Sequence, residues 1–269
     1  MNVRMMIARV VLIGFCFGAK AWTQERSAQQ QAWTYILQAR QGDGTAAQKA
    51  VTLLEQAVAA APDDRALLDL LGRSYFMKLS TQSRTVADPN ELLSTVRCAK
   101  EVFERVLKMN PNDSDALSGH GMALTLFGAF QRSPNLITTG IEEMNRAIEL
   151  APTTTHLRLT RGFTMVNMPL PIRNNTTVIE DLSVLLKVAA GTNQRAVDSL
   201  HIMLGDIYFE SGQLDQAKHH YDAVAGDSSS AKEQAQGRLT AMQDGSIPTA
   251  EIARFRSGVG SNCTMCHAQ

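Results

Sequence analysis

Apolar residues recur at helical spacing through most of the chain, from about residue 45 to residue 245. The stretches LLEQAVAAAP, VFERVLKMNP and EMNRAIELAP carry apolar side chains at i, i+3, i+4 and i+7, a spacing that gives a helix one buried face. Four further segments each begin a helix beside a proline or another turn residue. These segments cover residues 60–76, 109–127, 150–166 and 192–212. The pattern therefore predicts an all-α protein.

A glycine follows about ten residues into each of the four segments, and the last one carries a fuller motif. The stretch LGDIYFESGQLDQAKHHY places Leu204-Gly205, Tyr208, Gly212, Ala217 and Tyr221 at the spacing of the tetratricopeptide repeat. It resembles that family, and two earlier stretches match in part. They are Leu71-Gly72 with Tyr75, and Asn110-Pro111-Asn112-Asp113. The resemblance implies a solenoid of paired helices in which small residues let the helices approach closely.

The repeats are longer than the family's unit. Pro62 and Pro111 are 49 residues apart, and Pro111 and Pro152 are 41 apart, against about 34 for the family. We expect the extra length between helices, in residues 79–90, 130–138 and 167–175, and a capping helix over residues 228–243. Because of these insertions, the peptide binding of compact family members is not carried over. An unrelated helical bundle is the alternative.

The first 21 residues have the pattern of a secretory signal peptide. Arg4 and Arg9 precede an apolar run, Val10 to Ala19, and the small residues of Ala19-Lys20-Ala21 suit a signal peptidase. The run is shorter than the roughly 20 residues that a membrane-spanning helix needs. We therefore expect cleavage of residues 1–21 and export to the periplasm or surface of a bacterium, with no membrane span afterwards. An uncleaved anchor or a buried first helix is the alternative.

Charge and composition narrow the classes of function. The chain has 26 basic and 26 acidic residues, and residues 1–21 hold three of the basic ones, so the mature chain has 23 against 26, a formal charge of −3. Without a basic field we expect no nucleic-acid partner. No Ser-His-Asp set, phosphate-binding loop or pair of catalytic carboxylates stands out, so the sequence does not indicate a hydrolase.

The stretch SNCTMCHAQ contains Cys263, Cys266 and His267 in the order Cys-x-x-Cys-His. This is the attachment signature of c-type haem. Two thiols three apart in sequence can bond to the two vinyl groups of one porphyrin, and the next His then lies under the iron as its proximal ligand. The resemblance to c-type cytochromes implies one covalent haem c, attached outside the cytoplasm. Residues 22–243 would then form the repeat domain and residues 244–269 a short haem-binding tail.

Three other interpretations of this motif stay open. A Cys263–Cys266 disulfide suits an oxidising compartment, but it leaves His267 without a role. A zinc site needs four good ligands, and only three stand together here. A thioredoxin-like redox motif would begin a helix in a βαβ unit, and the helical pattern shows no such unit.

A sixth iron ligand would come from the repeats, from another subunit, or be absent, since only Ala268 and Gln269 follow the motif. His120 and His201 occupy positions that the repeat usually fills with large core residues, and we take them as candidate distal ligands. The alternative for each is a core histidine with a hydrogen-bond partner. Of the other histidines, His156 falls at an exposed first turn, and His219 and His220 lie on the last repeat's second helix.

Other side chains have weaker claims to a role. Arg254 and Arg256 are candidates to pair with haem propionates, because a guanidinium matches a carboxylate bidentately. They are equally well explained as solvated helix charges. Cys98 is expected to be a buried, inert thiol, and the methionines near the histidines are expected to be core residues. Those methionines are Met122, Met165, Met168 and Met203.

We therefore expect an exported monohaem c-type cytochrome on a tetratricopeptide-like scaffold. It would pass single electrons to a redox partner protein or to neighbouring copies of itself in a homo-oligomer or filament. A non-redox periplasmic adaptor with a Cys263–Cys266 disulfide is the main alternative. A haem enzyme of the peroxidase kind, with five-coordinate iron, is a third, and an electron carrier is favoured over an enzyme.

Overall fold

A computed structural model describes residues 28–41, 43–82, 88–166, 168, 173–225 and 229–243. These residues form eleven α-helices and contain no strand, which confirms the predicted all-α class. In chain order the helices are α1 28–40, α2 Ala46–Ala60, α3 Arg65–Gln82, α4 Pro89–Met109, α5 Ser114–Gln131, α6 Pro134–Leu150, α7 Thr155–Val166, α8 Asn175–Ala189, α9 Gln194–Glu210, α10 Leu214–Asp222 and α11 Ser229–Gln243. Within this part of the chain, no helix combines the length and the apolar character needed to cross a membrane.

Several helices begin where a short polar side chain caps the first turn. The side chain of Asp113 accepts a hydrogen bond from the backbone N–H of Ala116, and that of Asn193 accepts one from Ala196. Such a side chain satisfies an amide of the first turn that has no partner within the helix. The predicted beginnings of α5 and α9 are confirmed for this local reason.

The prediction of extra loop length was wrong at residues 130–138. Helix α5 continues to Gln131 and α6 already begins at Pro134. Arg132 adopts left-handed backbone angles, with φ of 52°, and this ends α5 within one residue. Pro134 then stands in the first turn of α6, where a missing N–H costs nothing. Part of the extra length therefore lies in the helices themselves, as in the 21-residue α4.

The helices group into two compact units, one extending to Val106 and the other beginning at Leu107. In the first unit α2 packs against α3, and Ala46 and Ala47 form a small core with Ala39 of α1. The hydroxyl of Tyr75 donates to Glu55 at 2.6 Å. The prediction of one repeat domain over residues 22–243 stays a prediction.

In the second unit the helices form consecutive hairpins, α5 with α6, α7 with α8, and α9 with α10. Helix α7 contacts both α5 and α6, α8 contacts α9, and α11 contacts both α9 and α10. Buried apolar side chains fill the space between successive hairpins. One such group contains Met165, Val166, Val178, Leu182, Leu185, Leu200, Met203, Leu204 and Ile207. This packing of hairpin on hairpin is what a helical repeat requires, because one hairpin alone cannot bury its apolar face.

Helix α11 lies where the sequence predicted a capping helix. It buries Ala235 and Arg238, which are 3% and 1% exposed, and presents a largely polar face to solvent. A polar outer face on a terminal element of a repeat array prevents further apolar stacking.

Candidate functional site

The haem-attachment residues predicted from the sequence lie outside the described residues. They are Cys263, Cys266 and His267, together with Arg254 and Arg256 and with the leader of residues 1–21. Their assigned roles stay predictions. Both candidate distal ligands, His120 and His201, are described, and each lies in a hairpin of the second unit.

His120 lies on α5 where this helix approaches α6 closely. Its side chain is largely buried, and Nδ1 lies 2.6 Å from Oε2 of Glu143 on α6. A methyl group added at the neighbouring Gly121 would overlap the carbonyl oxygen of Gly140 on α6. His120 is therefore held in a closed hairpin with a carboxylate partner, the ordinary role that its sequence position left open.

His201 on α9 meets a second histidine on α10. Its Nδ1 lies 3.0 Å from Nδ1 of His220, and the two ring centroids are 5.2 Å apart. The ring of Tyr208 stacks on His220 at 5.3 Å, and the ring of His219 meets His220 edge-on at 5.4 Å. We refer to His201, His219 and His220 as the histidine cluster. The first and last of these are half-buried, and His219 is exposed.

The surroundings of His201 and His220 disfavour positive charge on these two rings. Burial lowers the pKa of His220 to about 4, and the nearby His201 and His219 add to the effect. Burial also lowers the pKa of His201, which the carboxylate of Asp198 opposes in part. Both rings are consequently neutral at pH 7, so one Nδ1 donates the shared hydrogen bond and the other accepts it.

His156 provides a contrast, because it lies in the first turn of α7 with 45% of its side chain exposed, as predicted. Its Nε2 lies 2.6 Å from Oδ1 of Asp115 on α5. It is thus a surface histidine paired with a carboxylate, at a distance in the sequence from the histidine cluster.

The α9/α10 hairpin is joined to α11 by a buried ion pair that the sequence did not reveal. Nε and Nη2 of Arg238 donate to Oδ1 and Oδ2 of Asp206 at 2.6 and 3.1 Å. The Tyr221 hydroxyl donates to Oδ1 of the same carboxylate at 2.8 Å. Burial and the charge of Asp206 raise the pKa of Tyr221. A bidentate pair with a third donor satisfies most of what the buried carboxylate lost on leaving water.

A similar pair joins α7 to α8. Nε and Nη2 of Arg161 donate to Oδ2 and Oδ1 of Asp181 at 2.7 and 2.8 Å, and Nη1 donates to Asn145 of α6 at 2.7 Å. The Asp181 side chain is fully buried. These ion pairs tie neighbouring helices together and leave the carboxylates without exposure for catalysis.

The remaining predictions on single residues have mixed outcomes. Met165, Met168 and Met203 are core residues, as predicted. Cys98 is half-buried rather than fully buried, and it is a free thiol whose pKa is raised by burial. Across the described ranges no three histidine, cysteine or carboxylate side chains converge as a set of metal ligands.

Comparison with known proteins identifies the fold. Residues 199–225, which hold α10 and most of α9, match the family model of the tetratricopeptide repeat. A tetratricopeptide repeat protein from Thermus thermophilus superposes with a TM-score of 0.56 at 18% identity, covering 79% of this chain and 99% of that one. One from Parabacteroides merdae gives a TM-score of 0.38 at 15% identity, covering 91% and 94%. No curated protein matches significantly. The chain is therefore a helical-repeat protein with the tetratricopeptide repeat fold.

Proposed function

We propose that the protein is an exported monohaem c-type cytochrome that carries single electrons on a tetratricopeptide repeat scaffold. The observation that supports this is the Cys263-x-x-Cys266-His267 motif, placed behind a leader with the pattern of an export signal. In this function the two thiols hold the porphyrin as thioethers and His267 is the proximal ligand. A bound haem supplies a one-electron couple, and the protein sets its orientation, ligation and burial.

The donor set of the chain fits such a group. The motif itself offers two thiols and an imidazole, and the described part adds half-buried neutral imidazoles at His201 and His220. His120 is the less accessible candidate for a distal ligand, because its ring is packed between α5 and α6 with Glu143 on Nδ1. His201 is therefore the preferred distal candidate, with Arg254 and Arg256 retained as candidates for the propionates.

The scaffold gives the second half of the proposal. A tetratricopeptide repeat fold suggests protein–protein interaction, because stacked hairpins present extended surfaces to a partner. The partner would be a redox protein or a neighbouring copy of this chain. In a filament of such copies, each tail would dock on the next subunit, whose histidine would complete the iron.

Intact mass and a visible spectrum test the proposal directly. The full chain is produced with its leader in a bacterium that expresses the haem-attachment machinery. We expect a mass gain of one haem and a Soret band, both lost in Cys263→Ala/Cys266→Ala and both kept in the matched control Cys98→Ala. A chain exported without haem under these conditions would overturn the cytochrome assignment.

The spectrum also separates the versions of the proposal. A low-spin spectrum that becomes high-spin in His201→Gln, but not in His120→Gln, assigns the distal ligand to His201. A high-spin spectrum with ready binding of CO favours the peroxidase-like enzyme. Electron microscopy of the holoprotein tests the assembly, since monomers alone would contradict the filament.

The second candidate is a non-redox adaptor, which the repeat match over residues 199–225 favours. In this case residues Cys263 and Cys266 form a disulfide. Its signature is a haem-free protein whose mass rises by two hydrogen atoms on reduction, with no Soret band.

A further inference from the structure

We propose that His201 and His220 form a binding site for one divalent transition-metal ion of the class that imidazole prefers, Cu²⁺, Ni²⁺ or Zn²⁺. The site needs His201 in a state in which that ring does not ligate the haem iron, so the two roles of His201 are alternatives, and a haem-free variant tests this site apart from the proposed function. It is exchangeable rather than structural, because a structural zinc site takes four protein ligands and this one supplies two.

The geometry of the two rings suits a shared ion. Their Nδ1 atoms are 3.0 Å apart. With metal–nitrogen bonds of about 2.05 Å, an ion bound to both nitrogens would make an N–metal–N angle of about 94°. This value lies between the angles of square-planar and tetrahedral coordination, so the separation of the two nitrogens suits an ion bound to both.

The two helices hold the rings in this arrangement before any ion arrives. Gly205 of α9 accommodates the ring of Tyr221 of α10, where a larger side chain would overlap it. The stacked Tyr208 ring limits rotation of His220. A bidentate site whose ligands are already ordered loses little conformational entropy on binding.

The protonation states also suit a metal ion. The hydrogen bond between the two Nδ1 atoms requires a lone pair on at least one of them, and a neutral imidazole is the form in which histidine is a ligand. The proton on the donating Nδ1 moves to Nε2 of the same ring through solvent, and each Nδ1 lone pair then binds the ion. No net proton is released in this step, and no oxidant or reductant takes part.

Neighbouring groups favour a cation and leave room for further ligands. The Asp198 carboxylate interacts electrostatically with His201 from the same helix. His219 is exposed beside the pair and offers a third imidazole by rotation of its side chain. Water would complete the shell. The expected order of affinity is Cu²⁺ above Ni²⁺ and Zn²⁺, because affinities of nitrogen sites follow that series.

Isothermal titration of the full-length chain with each metal chloride at pH 7 tests the site, in the holoprotein and in the haem-free variant Cys263→Ala/Cys266→Ala/His267→Ala. We expect one saturable site with Cu²⁺ bound most tightly, weakened at least tenfold in His201→Gln and in His220→Gln. The surface variant His156→Gln is the matched control and should bind within twofold of the parent. Titrations in two buffers of different ionisation enthalpy should report no proton release.

A second measurement does not depend on any variant that fails to fold. Paramagnetic Ni²⁺ added to the parent protein should broaden the ring resonances of Tyr208, which stacks on His220, before the methyl resonance of Met144 in α6. The proposal is overturned by absence of saturable binding, by binding in either histidine variant that is as tight as in the parent, or by broadening that does not favour Tyr208. A haem-free preparation of Cys263→Ala/Cys266→Ala/His267→Ala that still binds the ion would support this site while the cytochrome assignment is tested separately.

Discussion

The hairpins α5/α6 and α9/α10 are built on one plan and differ at two facing positions. Each places a histidine of its first helix against a titratable side chain of its second, and each has a glycine where the helices approach. In α5/α6 the histidine meets a carboxylate and the glycine meets a backbone carbonyl. In α9/α10 the histidine meets another histidine and the glycine meets a tyrosine ring.

The difference shows that the same helical hairpin can hold its histidine with a carboxylate, as in α5/α6, or with a second histidine, as in α9/α10. In α5/α6 the backbones approach closely at Gly121 and Gly140, and Nδ1 of His120 is paired with the Glu143 carboxylate of the same hairpin. In α9/α10 the Tyr221 ring occupies the space beside Gly205. Here His201 is paired with a second imidazole instead of a carboxylate, so both side chains of the pair are groups that bind metal ions. Only α9/α10 lies in the stretch that matches the family model.

The largest expected effect comes from removing the acid that ties α9/α10 to α11. Asp206→Ala leaves the Arg238 charge buried without its carboxylate, and we expect a loss of about 3–5 kcal/mol in the free energy of unfolding. Glu143→Ala in the other hairpin removes one partner of a less buried pair and should cost about 1–2 kcal/mol. Urea unfolding followed by far-UV circular dichroism measures both. Lys218→Ala, which breaks a surface ion pair on α10, is the control and should leave the midpoint unchanged.

The glycine contacts give the next largest effect and separate backbone from side-chain packing. Gly121→Ala and Gly205→Ala should each cost about 2–3 kcal/mol through overpacking. Tyr221→Leu should relieve part of the cost of Gly205→Ala, because the obstacle there is a side chain. Met144→Ala should not rescue Gly121→Ala, because the obstacle is the Gly140 carbonyl. A double-mutant cycle in urea measures the coupling, and additive energies at Gly205 and Tyr221 would contradict this distinction.

The histidine pairs should respond differently when they are made apolar. His201→Leu/His220→Leu removes both partners of one hydrogen bond, and we expect a change in stability of less than about 1 kcal/mol. His120→Leu leaves Glu143 without its partner and should cost about 1–2 kcal/mol. The midpoints of urea unfolding of the two variants measure these changes in stability. A large loss in the double variant would mean that the histidine cluster serves packing rather than a ligand.

The smallest effect appears in alkali, and of the two hairpins only α9/α10 should show it, since α5/α6 contains no tyrosine. The raised pKa of Tyr221 means that this phenol ionises more easily in the unfolded chain, near pH 10, than in the folded one. Its contribution to stability is therefore complete below pH 10 and decreases as the pH rises above it. The urea midpoint should decrease between pH 9 and pH 10.5 by more in the parent than in Tyr221→Phe. An equal decrease in both proteins would contradict the assignment to Tyr221.

Local signals in the sequence predicted most of the fold and little of the site. The capping residues Asp113 and Asn193 fix where α5 and α9 begin, and they can be recognised without tertiary information. The end of α5 could not, because it depends on a left-handed Arg132 rather than on a glycine. The proline after it was taken as part of a loop, although it begins the next helix.

The side-chain pairs depend on contacts that a linear pattern does not contain. His201 and His220 are 19 residues apart and on different helices, so each was considered alone. The repeat register does bring their helices together, and a search for facing positions within the 199–225 repeat would have paired them. The haem motif is the reverse case, because its five residues are adjacent in the sequence and can be recognised without knowledge of tertiary contacts.

The buried Arg238 has a consequence for the order in which the chain acquires its structure. It follows Asp206 by 32 residues, so a chain made from its N-terminus presents the acid long before the base. Until Arg238 has been synthesised, the Asp206 carboxylate lacks the ion pair that offsets its loss of hydration on burial. Cys263 follows Arg238 by only 25 residues. The residues that complete the contact of α9/α10 with α11 and the cysteine motif are therefore made close together in the synthesis of the chain.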